Sequence, residues 1–444
     1  MFRNSLIEAL RQDARVLQTE RQYDDIIEQI GDASLVLLGE ATHGTREFYR
    51  IRAEISKRLI LEKGFNAIAV EADWPDALQV NRFIAPSKNA ASADQALHGF
   101  ERFPQWMWRN TEIVELVSWL RWHNMQIADA HRKVGFFGLD LYSLRASMEA
   151  VVGYLAQVDP DAATQARARY GCFDHLAEDP QRYGYAATFG MRKDCEDEVI
   201  RQLTELTEKW HSATHQAGDM DELFYAQQNA RVAQNAEAYY RSMFLGRNES
   251  WNLRDLHMAD TLDALCGHLT ARNGRAPRIV VWAHNSHLGD ARATEMGEHG
   301  QLNLGQLVRE RYGAKDSFLL GFTTHAGTVT AASDWGAPAE TKAVRPSHPD
   351  SYERLFHDCG LGNFLIPLRE NNRLAGMLQE KLLERAIGVV YLPESERISH
   401  YFHASLSRQF DAVIHVDETH AVRPLEREAD TQQGEVPETY PSGI

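Results

Sequence analysis

The 444-residue chain has only four cysteines, Cys172, Cys195, Cys266 and Cys359, and no two of them form a C-x-x-C pair. That spacing offers no sulfur cage for structural zinc and no disulfide framework. The expectation is buried or inert thiols in a reducing cytoplasm. No apolar run approaches the ~20 residues that a membrane span needs, and the opening MFRNSLIEALRQDARVL lacks the apolar core of a signal peptide. Positive charge is also short: 47 Lys and Arg stand against 63 Asp and Glu, for a formal net charge of -16. No field then draws the protein to phosphate, which argues against nucleic acid or an anionic membrane as partner and leaves a small-molecule substrate. G-x-S-x-G is absent, so a serine nucleophile on an elbow has no signature. H-E-x-x-H is absent too. Nothing in the sequence speaks to oligomeric state.

What is present reads as an α/β protein. Short apolar runs bounded by turn residues occur at 34–39, 66–72, 133–140, 278–285, 317–323, 387–392 and 411–416. They are continuous rather than alternating, the pattern of strands buried on both faces of a largely parallel sheet flanked by helices. Residues 145–274 break that rhythm with long amphipathic segments and no convincing strand. The domain reading is therefore an α/β core in two parts, 1–144 and 275–425, an inserted all-helical lobe at 145–274 that covers the cleft or simply packs beside the core, and a disordered acidic tail at 426–444.

In an open parallel sheet, ligands bind beyond the carboxyl ends of the strands. Just past the apolar runs stand Glu40 and His43, then Glu71 and Asp73, then Asp140, then His284 and His287. Acids and imidazoles are expensive to bury unless paired or used. The stretch LVLLGEATHGTREF superficially matches a phosphate loop, but it has no lysine and carries a glutamate that would repel a triphosphate. In the following helix Phe48, Ile51, Ile55 and Leu59 form the apolar stripe, and Arg52 falls within it. A guanidinium there needs a carboxylate, with Glu40 and Glu71 the nearest candidates, or an anionic intermediate. This set suits general acid–base hydrolysis with water as nucleophile. It equally suits a divalent metal held by Glu40, His43, Glu71, His284 and His287. A non-catalytic binder of a large ring is a third reading. The residues alone do not choose.

Other residues carry weaker signals. Trp106 and Trp108 in FPQWMWRN suit an aromatic wall for an apolar ligand or plain core packing at a helix start. Asp140 is a candidate hydrogen-bond partner for His284 or His287. Asp73 reads as a helix cap before Pro75. Arg254 and His257 share a helical face, either closing over the cleft or forming a solvated charge pattern. HVDETH at 415–420 reads as a surface turn or a stray metal site, and His325 as a strand-end residue.

LLGEATHGTREFYRIRAEISKRLI, AVEADWPDA, FPQWMWRN, FFGLDLYSL and WAHNSHLGDAR together resemble the erythromycin esterase family, from about residue 15 to 425. The resemblance implies an α/β core with a helical lobe. It also implies hydrolysis of a macrolactone ester by activated water, with no covalent intermediate and no required cofactor or metal. In that likeness His43 is the general base, Glu40 and Glu71 position it and the water, and Arg52, His284 and His287 complete the cleft. Trp106, Arg254 and Asp140 are the expected substrate contacts.

Overall fold

In the computed structural model, which describes residues 2–17, 23–85, 92–173, 180–191, 194–212, 217–369 and 373–426, the apolar runs become strands. These are β1 (Arg15–Val16), β2 (Leu35–Leu38), β3 (Ala67–Asp73), β4 (Gly135–Asp140), β5 (Ile279–Trp282), β6 (Ser317–Ala331), β7 (Glu340–Val344), β8 (Phe364–Pro367), β9 (Leu382–Arg385), β10 (Tyr401–Ala404) and β11 (Ala412–Thr419). All four residues of β2 and of β5 are buried, which is why these segments read as unbroken apolar runs.

The chain divides into two compact units: Met1–Ala69, Phe83–Gly135 and Arg278–Ile444 form one, Val70–Arg82 and Phe136–Pro277 the other. In the first unit the strands lie in the order β1-β8-β11-β6-β2-β5. The centre of this sheet is parallel, from β11 through β6 and β2 to β5. Its margin is antiparallel, where β8 joins β11, β1 joins β8 and β7 runs along β6. β9 and β10 form a separate antiparallel ribbon. β1, β7, β8, β9 and β10 were not among the expected strands; the first is two residues long, and β7 is largely exposed rather than apolar.

The run 387–392 is not a strand. Its backbone turns to loops instead of a neighbouring strand. Ile387 N–H donates to the Ala41 carbonyl at 2.9 Å, and its own carbonyl accepts from His43 N–H at 3.3 Å. Val389 and Tyr391 bond to Ala332. β6 runs eight residues past the expected end at Thr323, so His325 lies inside a strand and not at its end. There its ring stacks on His357 at 3.6 Å. HVDETH is likewise no surface turn: His415 is fully buried in β11 and shares Asp417 with His357.

The second unit contains the ends of β3 and β4 and the helices Leu144–Val158, Pro160–Tyr170, Pro180–Thr188, Glu196–Ser212, Ala217–Ser242 and Arg247–Asn273. Local signals set these boundaries. The Asp159 side chain caps the second of them, accepting from Ala162 N–H just ahead of Pro160, and the last ends at Gly274 with φ 67. Leu144, Met148, Val151 and Leu155 pack against Ala230, Ala233, Ala236 and Tyr240 in its core. The expectation of thiols holds for Cys266 and Cys359, which form no disulfide, and fails for Cys172 and Cys195, which are joined in one. Their 23-residue separation carried no spacing signature, and helix packing brings them together. The expected tail, from 427 onward, lies outside the described residues; Glu426 pairs with Arg109. Among the described residues no helix is long and apolar enough to cross a membrane.

His257 is fully buried in the helical unit, bonded to Asn235 at 2.7 Å. Burial pushes its imidazole down from 6.5 to about 4, so the folded ring stays neutral where an unfolded one takes up a proton. Its contribution to stability is complete above about pH 6.5 and is lost as pH falls toward 4. Urea unfolding at pH 7.5 and 5.0 should show lower stability at 5.0, by up to about 1.4 kcal/mol per pH unit for such a group. The decline should be shallower in His257→Gln.

Candidate active site

The loop that follows β2 is shaped by two close approaches. A side chain at Gly39 would overlap Asn285 Oδ1, and one at Gly44 would overlap the Thr330 carbonyl. Glycine is required at both positions by space alone. Asn285 is the reason at the first. Its N–H donates to the Glu40 carbonyl at 2.8 Å. Its side-chain amide donates to the Phe322 carbonyl at 2.7 Å and accepts from Phe322 N–H at 3.2 Å. The amide thus takes the place on β6 that another residue of β2 would have occupied. The remaining loop is pinned by Ile387, by Thr330 and Val422 on the Gly44 carbonyl, and by Tyr49 Oη on the His43 carbonyl at 2.8 Å.

Within this frame Glu40, His43, Arg52, His284 and His287 are all buried in the first unit. His43 Nδ1 lies 2.9 Å from Glu40 Oε1. A carboxylate only accepts, so the His43 proton sits on Nδ1 and its basic lone pair on Nε2. The other Glu40 oxygen, Oε2, pairs with Arg52. The expectation that Arg52 sits in the apolar stripe and meets a carboxylate is met by Glu40. The stripe itself is Phe48, Tyr49, Arg52, Ile55 and Leu59, with Ile51 only half-buried. The guanidinium also lies over the rings of Tyr49 (4.7 Å) and Trp282 (4.6 Å), a dry aromatic setting in which a cation is held by face contacts as well as by charge.

The ring of His284 lies 4.9 Å from that of His43, tilted by 46°. His284 caps the short helix Asn285–Leu288, its Nδ1 accepting from Ser286 N–H at 3.3 Å, with Ser286 Oγ at 2.8 Å. An acceptor at Nδ1 places the proton of the neutral ring on Nε2. The two neighbouring imidazoles therefore carry opposite tautomers. His287 is on the same turn and fully buried.

The second unit has its own cluster. Arg254 forks onto Asp140 through Nε (3.0 Å) and Nη2 (2.7 Å), and Nη2 also reaches Glu71 Oε1 at 2.6 Å. Its guanidinium lies 5.0 Å from the Tyr142 ring. Burial works against the Arg254 charge, but Asp140, Tyr142 and Glu71 hold it well above the ordinary arginine range. Arg254 and His257 are buried, so the alternative of a solvated charge pattern is excluded. The partner of Asp140 is this arginine, and Asp73 accepts from Ser143 N–H at 3.1 Å. Trp106 is buried in the single turn Gln105–Met107 of the first unit. Among the described residues, no three His, Cys, Asp or Glu side chains are placed to hold a metal ion together.

The profile of the erythromycin esterase family matches residues 60–419. The chain belongs to the erythromycin esterase family. It is 22% identical over 440 residues to erythromycin esterase type II of Escherichia coli, covering 89% of this chain and 93% of that one. Among solved structures, a succinoglycan biosynthesis protein superposes with a TM-score of 0.76 at 21% identity, over 95% of this chain and 98% of that one. A mutant of erythromycin esterase EreC in its open conformation gives 0.60 at 16% identity, over 92% and 97%. These likenesses agree on the fold, and membership makes this esterase-family chain a hydrolase of the esterase type. The family match starts beyond residue 52; the structure is what joins residues 40–52 to His284.

Sequence reasoning missed Asn285, Ser286, Tyr49 and Trp282. The only available signal was the pair of polar residues between the two histidines of AHNSH, since side chains two positions apart readily bond the backbone of a turn.

Removing Arg52 leaves Glu40 as a buried, uncompensated charge. Arg52→Met should lower the unfolding free energy by about 3–5 kcal/mol, and the double variant with Glu40→Gln should recover part of that loss in urea titrations. An undiminished loss in the double variant would separate Arg52 from Glu40.

Proposed function

We propose that the protein hydrolyses a carboxylic ester or lactone by general-base activation of water, with His43 as the base. What supports this reading is the hydrogen bonding of two rings 4.9 Å apart: His43 Nδ1 meets the Glu40 carboxylate and His284 Nδ1 accepts from Ser286 N–H, which leaves a lone pair on His43 Nε2 and a proton on His284 Nε2. One ring can take a proton while the other donates a hydrogen bond, which are the two demands of acyl transfer to water.

His43 Nε2 takes a proton from water as the oxygen attacks the ester carbonyl. His284 Nε2–H donates to the oxyanion that develops. When the tetrahedral species collapses, the alkoxide leaves and takes the proton back from His43. Glu40 holds the His43 tautomer and offsets the imidazolium charge, and Arg52 fixes the carboxylate through its other oxygen. His287 completes the buried imidazole group. Several donors that a metal would need are already engaged: His43 Nδ1 and both Glu40 oxygens within their chain, His284 Nδ1 on Ser286. Trp106, in the first unit, is assigned to substrate binding as an apolar contact. The abundance of acid favours neutral or cationic substrates, and a macrolide-like lactone bearing an amino sugar fits that preference.

His43→Ala and His284→Ala should each lower kcat by about 10²–10⁴-fold on a responsive ester or lactone, measured on protein that still unfolds cooperatively. Activity should survive chelation. Loss on chelation with recovery on adding zinc or manganese would instead favour the metal-dependent reading. A stable acyl-enzyme seen by mass spectrometry would rule out direct attack by water.

A further inference from the structure

Asn285 links three parts of the first unit: it holds the Glu40 carbonyl, it completes the hydrogen bonds of Phe322, and it adjoins His284. Its amide has a further contact. Nδ2 donates to Glu384 Oε1 at 3.4 Å. Glu384, on β9, is fully buried, and its Oε2 has no hydrogen-bond partner among the described residues. The Gln409 amide faces the same carboxyl.

Among the described residues, no cation pairs with Glu384. Its cross-strand partner is Phe402. The helix Tyr352–Asp358 presents Tyr352 and a second fully buried acid, Glu353. Arg385, next along the strand, turns to Tyr401 Oη at 2.8 Å and to the carbonyls of His325 (3.1 Å) and Arg345 (2.8 Å). Burial first, and Glu353 second, push the Glu384 carboxyl well above its ordinary range, against the pull of the Gln409 and Asn285 amides. A neutral acid is the form that such a site accepts.

We propose that Glu384 is a positioning residue for the esterase site, fixing the Asn285 amide and through it the junction between Glu40 and His284. This rests on the hydrolytic reading above. As a neutral acid, Glu384 can accept from the amide without adding an unpaired charge to the interior. It touches neither the reacting water nor the ester.

The test compares Glu384→Met, which fills the space but removes the acceptor, with Glu384→Gln, which keeps a neutral acceptor. Two readouts are needed on the full chain: steady-state kinetics on an ester or lactone that the wild type turns over, and NMR of histidine-labelled protein reading the rings of His43 and His284. The methionine variant should lower kcat by about tenfold to a hundredfold with KM nearly unchanged, and should shift both ring signals. The glutamine variant should restore both. Unshifted rings and wild-type kcat in the methionine variant would overturn the proposal, as would a glutamine variant no better than methionine. Shifted rings in a protein inactive on every ester would uphold the link through Asn285 while removing the hydrolytic reading.

Discussion

Glu40 is a carboxylate taken out of water, and most of what surrounds it answers the cost of that burial. An isolated ionised acid in a dry interior is several kcal/mol less stable than in solvent. Arg52 offsets the charge, His43 takes one oxygen, and the Tyr49 and Trp282 rings hold the guanidinium that makes the pair. The polypeptide is arranged to bring those partners in: β2 ends, Gly39 leaves room, and Asn285 closes the gap on β6. A single glutamate at a strand end thus dictates a glycine, a helix-borne arginine and a borrowed side-chain amide.

The same rule organises the second unit, where Arg254 is the hub and the acids are the spokes. There one guanidinium serves two carboxylates and lies over Tyr142. Elsewhere the rule is met differently. Glu384 has no counter-ion paired with it among the described residues, Glu353 accepts from the Arg385 backbone N–H rather than from a guanidinium, and burial raises both carboxyls above their ordinary range.

Much of this was legible before any coordinates. Continuous apolar runs identified β2 to β6 and β11, because burial on both faces leaves no polar alternation. The failures have physical causes. The run 387–392 has the composition of a strand, but its backbone groups meet loops, and composition does not say which partner a backbone finds. The short and exposed strands β1 and β7 carry too little apolar sequence to be seen. The disulfide joins cysteines whose meeting depends on how helices pack. HVDETH looked like a polar turn because His415 is paired inside a strand, where a partner makes burial tolerable.

By itself the sequence determined the alternation of strands and helices, the placing of acids and imidazoles at strand ends, and the arginine within an apolar helical stripe. These are one-dimensional facts, since periodicity and spacing follow from backbone geometry. Only the tertiary structure decided which partner each group has: Glu40 for Arg52, Asp140 and Glu71 for Arg254, Ser286 for His284. The tautomers follow from those partners, because a ring nitrogen's role is fixed by whether it faces an acceptor or a donor. No spacing along the chain records that, and it is the tautomers that turn two histidines into a base and a donor.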